Sequence, residues 1–152
     1  MMSKWCKRKD KSEAIIHAHE LADIVTKHGL KVVRVKVEAM LERNLDVSLN
    51  GEKDRYFEFH MKIVINNISS LKHLINLMKG VPHVGVSLSI RSETQYPILT
   101  IRLHTGTAIN ALVYKDQIID NLKKEGFHIS EKIQNELSVY DTFPELDEGW
   151  VS

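Results

Sequence analysis

Two stretches of the sequence place residues capable of acid–base and phosphate chemistry at every second position. They are Glu58, His60 and Lys62 in the stretch 55–65, and Thr100, Arg102 and His104 in the stretch 98–104. Histidine titrates near neutral pH, while lysine and arginine neutralise phosphate. We therefore expect a site for a phosphorylated small molecule or nucleotide where the two stretches meet.

Apolar residues occupy the positions in between, as Phe57, Phe59 and Met61 do in the first stretch. Because successive residues of a strand point to opposite faces, each stretch builds one apolar face for the core and one polar face. Directly opposite residues on neighbouring strands lie about 5 Å apart. Their polar side chains can therefore share one ligand if the two stretches are neighbours in a sheet.

Roles for these residues follow from their chemistry. We predict His60 and His104 as acid or base in a hydrolysis or transfer reaction, with Glu58 orienting a histidine or holding a metal. Thr105 precedes a helix start, where unpaired N–H groups suit anions. The predicted ligand-binding residues are Lys62, Arg102, Arg34, Lys36, Ser87, Ser89 and Thr105. No metal-ligand motif appears, we assign no metal residues, and any cofactor stays unknown.

Two other interpretations fit the same polar face. Exposed sheet faces are normally polar, and charged pairs across strands often serve only solubility. Alternatively, the chain is a noncatalytic interaction module or a homodimer that uses this face, with the charges paired across the interface. Nucleic-acid binding is not favoured, because Phe57 and Phe59 belong to the apolar set and are not offered for base stacking.

The order of predicted elements indicates an α+β domain. From the stretch 55–65 onward the order is strand, helix, strand, strand, helix, strand, and an extra helix (12–28) and strand (30–41) precede it. This order resembles the ferredoxin-like (βαββαβ) superfold, an antiparallel sheet with helices on one face. The resemblance implies that 55–65 is central, between 98–104 and 128–141. The extra strand is expected beside the C-terminal strand.

Length and composition fit one soluble domain. The chain has 152 residues with a formal net charge of +1, so the whole molecule offers little long-range attraction to nucleic acid or an anionic membrane. No stretch approaches the roughly 18–20 apolar residues of a membrane span. A single cysteine, Cys6, allows no intramolecular disulfide, which suits a reducing compartment. We expect a cytoplasmic protein.

Three regions are predicted along the chain. Residues 1–11 form a flexible basic arm, 12–141 form the single α+β domain, and 142–152 form an acidic C-terminal tail. The tail is expected to be a solvated strap that Phe143 and Trp150 dock on the domain, because isolated acidic tails are usually solvated.

Overall fold

The computed structural model describes residue 4 and residues 10–88 and 96–147. Most of the predicted basic arm, the predicted binding residue Ser89 and the predicted docking residue Trp150 therefore lie outside the described residues. None of the helices in the described part of the chain is long and apolar enough to cross a membrane.

Three helices and eight strands are present among the described residues. The helices are α1 (Lys11–Lys27), α2 (Ile68–Met78) and α3 (Ala108–Lys124). The strands are β1 (Lys36–Met40), β2 (Ser48–Asn50), β3 (Tyr56–Val64), β4 (Val84–Leu88), β5 (Pro97–Leu103), β6 (Thr105–Thr107), β7 (His128–Ile129) and β8 (Gln134–Asp141). Short 3-10 turns occur at Leu41–Arg43 and Pro144–Asp147.

The main sheet runs in the order β1–β8–β3–β5–β4, and every pair in it is antiparallel. β3 thus lies between β5 and β8, and β1 lies beside β8. β7 pairs with the far end of β3, and β2 and β6 form a separate two-stranded ribbon. The predicted α+β architecture with an antiparallel sheet is confirmed. The order of elements differs from the expected one, because β7 and the ribbon of β2 and β6 were not predicted.

Two local predictions need correction. The strand expected over 128–141 is divided into β7 and β8, which pair with different parts of β3. The helix expected over 12–28 begins at Lys11 and ends at Lys27. Asp10 is its cap, and the Asp10 carboxylate accepts a hydrogen bond from the backbone N–H of Ser12. Asp10 can do this because a side-chain oxygen at the cap satisfies one of the free N–H groups of the first turn.

The core lies between one face of the sheet and two helices. The apolar set of β3, which includes Phe57, Phe59 and Met61, is buried in one cluster with Leu74 of α2 and Leu122 of α3. Helix α1 contributes no buried side chain and contacts β1. The apolar half of the alternation in β3 therefore makes the core, and its other half is directed to the opposite face of the sheet.

The division of β3 into two faces makes a prediction for stability. Phe59→Ala should lower the free energy of unfolding by about 3–5 kcal/mol, because it empties a large buried volume. Lys62→Ala, three residues along the same strand on the exposed side, should change it by less than about 0.5 kcal/mol. Urea denaturation of both variants measures this. Similar losses in the two would contradict the assignment of faces.

Candidate functional site

The structure brings the central polar residues of the two stretches together. In the register of β3 with β5, Glu58 lies opposite Arg102, and His60 lies opposite Thr100. On the other side of β3, Glu58 lies opposite Glu136 of β8. Polar side chains of three neighbouring strands therefore meet on the face of the sheet away from the core cluster.

Glu58 is the centre of this face and is only 1% exposed. Arg102 donates to its Oε1 from Nε at 2.9 Å and from Nη2 at 2.5 Å. Lys36 Nζ lies 2.5 Å from Oε2, and His60 Nε2 lies 3.2 Å from the same oxygen. Burial opposes ionisation of Glu58, but the hydrogen bond with His60 and the charges of Lys36 and Arg102 outweigh it. They hold the pKa of this carboxyl well below its usual range.

A second ion-pair group joins the segment before β1 to the end of β8. Arg34 donates to both carboxylate oxygens of Asp141, with Nε at 2.8 Å from Oδ1, and the buried Tyr56 hydroxyl donates to Asp141 Oδ2 at 2.6 Å. Arg34 Nη2 also lies 3.1 Å from the Tyr56 hydroxyl. The hydrogen bond to Asp141 raises the pKa of Arg34 against the effect of burial, and burial raises the pKa of Tyr56 to about 12.

Asp147 connects the two groups. Its Oδ2 accepts from Arg34 Nη1 at 2.8 Å and from Arg102 Nη2 at 2.6 Å, and its side chain is 13% exposed. The residue belongs to the 3-10 turn Pro144–Asp147. The tail was expected to be solvated, so this ion-paired carboxylate is a correction. The reason is electrostatic: two neighbouring guanidinium groups attract a carboxylate that the chain can bring within reach.

His60 and Glu136 occupy the more open end of this face. The His60 side chain is 28% exposed, and its Nδ1 lies 3.0 Å from the hydroxyl oxygen of Thr100. Glu136 Oε2 lies 4.0 Å from His60 Nε2. Burial, together with the negative charges of Glu38 and Glu58, raises the pKa of Glu136 to about 7. Glu136 can therefore hold or release a proton near neutral pH.

Three further predicted residues make no ion pair or hydrogen bond with Glu58 in the described structure, although His104 contacts the ring of Tyr56, against which Arg102 also packs. His104 packs against the ring of Tyr56 with 5.1 Å between ring centroids, and its Nδ1 is 3.2 Å from the carbonyl oxygen of Glu52. Lys62 is exposed further along β3. Ser87 lies on β4, opposite Ile98, with β5 between it and β3.

Thr105 does not stand at a helix start. It belongs to β6, where it pairs with Asn50 in the two-stranded ribbon, and Thr107 caps α3. The Thr107 hydroxyl accepts the hydrogen bond from the backbone N–H of Asn110, so a side chain already serves that helix terminus. The helix start is therefore at Thr107, two residues later than Thr105, and anion binding by Thr105 stays a prediction. Because a threonine lies on either side of Gly106, the sequence alone did not decide whether Thr105 or Thr107 caps α3.

Sequence reasoning singled out neither Asp147 nor Glu136 as a site residue. The signal for Glu136 was its place in the alternation of the last strand. Asp147 carried no comparable signal, since it follows the strand and its position depends on how the chain turns after Asp141. No protein-family model, no curated protein and no solved structure matches this chain.

The raised pKa of Glu136 makes a prediction for stability against pH. Its folded pKa of about 7 exceeds the usual value of 4.5, so ionisation destabilises the fold above pH 7, and this cost disappears as the pH falls towards 4.5. Glu136→Gln should therefore raise the melting temperature by about 3–6 °C at pH 8, corresponding to roughly 1–2 kcal/mol after screening by solvent.

The gain should shrink steadily between pH 7 and pH 4.5 when melting is followed by circular dichroism in buffer with chelator and without phosphate. Glu131→Gln removes the same charge at an exposed position close to β8 and is the control. A rise in melting temperature that does not depend on pH, or an equal rise in Glu131→Gln, would contradict the prediction that ionised Glu136 destabilises the fold.

Proposed function

We propose that the polar face of the sheet binds the phosphate group of a small phosphorylated molecule, such as a nucleotide or a sugar phosphate. The observation that carries this proposal is the convergence of Arg34 and Arg102 on one oxygen of Asp147. Two guanidinium groups directed at a single oxyanion are the arrangement that suits a phosphate oxygen. Asp147 then marks the position of the phosphate.

The two guanidinium groups are held in place independently of Asp147. Arg34 is fixed by Asp141 and Arg102 by Glu58, each through two nitrogen atoms. A ligand that replaces Asp147 would therefore meet donors that are already oriented. Preorganised donors favour binding because little conformational entropy is lost when the ligand arrives.

Asp147 is a replaceable partner because its turn makes few other polar contacts with the described part of the chain. Within the turn, the backbone N–H of Leu146 donates to the carbonyl of Phe143, and Glu145 is 3.6 Å from the exposed Lys53. Leu146 is itself exposed. A phosphate oxygen that replaces Asp147 would thus break only the ion pairs of Asp147 with Arg34 and Arg102, and the core would be unchanged.

We assign the acid or base role to His60. A hydrolysis or transfer reaction at phosphorus needs a proton carrier beside the phosphate, and His60 is near Arg102, through Glu58, with part of its ring open to solvent. The Thr100 hydroxyl fixes the ring orientation. The second predicted histidine, His104, is placed against Tyr56 and has no part in this proposal.

The proposal includes a ferredoxin-like core and a cytoplasmic location. The path β8–β3–β5–β4, together with α2 and α3 in one core cluster on one face of β3, supports the ferredoxin-like assignment. The sheet face opposite these helices is the one that carries the Glu58 cluster. A single cysteine in the sequence supports a reducing compartment.

Asp147 provides the sharpest test of the phosphate site. Asp147→Asn keeps the shape of the side chain and removes the competing charge, so it should bind inorganic phosphate and ATP at least about tenfold more tightly than wild type, roughly 1.4 kcal/mol. Glu145→Gln, on the same turn, should bind like wild type. Isothermal titration calorimetry with inorganic phosphate and with ATP measures the affinities of wild type and of the two variants.

Arg102→Lys tests the guanidinium fork in the same experiment. It keeps the positive charge and loses the planar pair of donors, so affinity for phosphate should fall. Circular dichroism and the melting temperature establish that each variant is folded. Equal phosphate affinities in Asp147→Asn and Glu145→Gln, or no measurable binding by either, would overturn the proposal.

The competing proposal is a noncatalytic interaction module, with a homodimer formed through the same face. Sedimentation equilibrium at micromolar concentration distinguishes it. If this face forms the dimer, Glu136→Lys should dissociate it, because the change reverses a charge at the open end of the face. A monomer that binds phosphate would exclude this alternative, while a dimer with no affinity for phosphate would favour it.

A further inference from the structure

We propose that Glu58, His60 and Glu136 form a binding site for a divalent transition-metal ion such as Zn²⁺ or Mn²⁺. This site is distinct from the arginine pair, and the inference does not depend on phosphate binding. When a metal ion is bound, His60 is its ligand and does not serve as the acid or base. It rests on four features of the structure: donor geometry, the orientation of the imidazole, the charge of the cluster, and the availability of a carboxylate oxygen on Glu58.

The three donor atoms have the spacing of a coordination sphere. One ligand atom from each residue can be chosen so that all three lie within 4.8 Å of one another. His60 Nε2 is 3.2 Å from Glu58 Oε2 and 4.0 Å from Glu136 Oε2. Donors about 2.0–2.2 Å from a tetrahedral metal ion lie roughly 3.4 Å apart, so only small side-chain movements are needed.

The three residues come from rigid parts of the fold. Glu58 and His60 are two residues apart on the central strand, on the same face, and Glu136 is directly opposite Glu58 on β8. Sites built on paired strands hold their ligands more precisely than sites on loops. None of the three is on the exposed surface, since Glu58 is buried and the other two side chains are 28% and 19% exposed.

Thr100 orients the imidazole as an outer-shell partner would. Its hydroxyl oxygen lies 3.0 Å from His60 Nδ1, so Nε2 faces the two carboxylates. Histidine ligands of metal ions typically have their other ring nitrogen hydrogen-bonded in this way, which fixes the ring and its tautomer. In the tautomer whose Nδ1–H donates to Thr100, the lone pair of Nε2 is available to a metal ion, which would replace the contact of Nε2 with Glu58.

The charges of the cluster leave room for a divalent cation. Three cationic side chains, Arg34, Lys36 and Arg102, face five carboxylates among the residues joined by these ion pairs. The carboxylates are those of Glu38, Glu58, Glu136, Asp141 and Asp147. When all five carboxylates are ionised, they outnumber the three cationic side chains by two, an excess that a single divalent ion would balance.

Arg102 leaves one oxygen of Glu58 open to a metal ion, whereas Lys36 would have to move away from that oxygen. Arg102 holds Oε1 of Glu58 and leaves Oε2 as the oxygen facing His60. Lys36 lies 2.5 Å from Oε2 and also 2.5 Å from Oε1 of Glu38. The ammonium group can therefore keep Glu38 as its partner when Oε2 of Glu58 binds the metal ion.

The donor set selects the class of metal. Imidazole suits zinc, iron, nickel and copper, and carboxylates suit manganese and zinc, whereas calcium and magnesium prefer oxygen ligands alone. Three protein donors leave coordination positions open for water or a substrate. The structure therefore points to a transition-metal ion with an open position, in contrast to a closed structural site.

Calorimetric titration of the metal-free protein with ZnCl₂ or MnCl₂, in a buffer that does not chelate, tests the site. We expect one saturable site per chain in wild type. Glu136→Gln and His60→Gln each remove one donor and should weaken binding at least about tenfold. Electron paramagnetic resonance of bound Mn²⁺ gives a second measurement of the same affinity.

His73 and Glu125 provide a matched control. Their side chains lie 3.3 Å apart, both are exposed, and they are far from the Glu58 cluster in the fold, beside Phe127. His73→Gln and Glu125→Gln should keep the wild-type affinity. Circular dichroism confirms that each variant is folded. Glu136→Gln and His60→Gln remove different donors, so each tests the site separately.

Two outcomes would overturn the inference. One is the absence of saturable binding in wild type with either metal. The other is a loss of affinity in the control pair that equals or exceeds the loss in Glu136→Gln and His60→Gln. Phosphate is left out of these titrations, so failure of the metal site would not count against the phosphate proposal, and the converse also holds.

Discussion

The burial of the Glu58 carboxylate is the constraint on which the polar face depends. Moving an ionised carboxylate out of water costs several kcal/mol, and the fold recovers this only if well-placed donors surround it. Arg102 and Lys36 provide two charged donors from β5 and β1, and His60 provides a third contact from β3 itself. Loss of either cationic partner would leave a buried charge with too few partners.

Ion pairs also tie the edge strand β1 and the segment after β8 to the central strands of the sheet. Lys36 is on the edge strand β1, and Arg34, two residues earlier, reaches Asp141 at the end of β8. Asp147 then joins Arg34 to Arg102, so the segment after β8 is bound to the central strands by charge. The ion pairs thus fix the register of the edge strand and the path of the C-terminal turn, which apolar packing alone does not specify.

The alternation in β3 was sufficient to predict this face from the sequence. Period-two patterning determines which side chains share a side of a strand, and the order of elements indicated which strands are neighbours. Glu58, His60, Thr100 and Arg102 were placed together for that reason. His104 follows β5, where the chain has left the main sheet, yet its ring packs against Tyr56 of β3.

Other features depended on interactions between segments that are distant in sequence. The position of Asp147 is set by two guanidinium groups that are more than forty residues away in the chain. The separation of β7 from β8 is set by their pairing with different parts of β3. Local patterns do not contain such information, because the partner groups become neighbours only after the sheet has formed.

Charge balance determines what this face can hold at one time. Five carboxylates exceed three cationic side chains in this cluster, and burial together with the charges of Glu38 and Glu58 raises the pKa of Glu136. A phosphate that replaces Asp147 exchanges one anion for another of equal or greater charge and does not relieve this excess. A divalent ion at Glu58, His60 and Glu136 does relieve it, so the two proposed ligands would strengthen each other's binding. The physical basis of that coupling is the shared Glu58 carboxylate, which contacts Arg102 through one oxygen and faces His60 through the other.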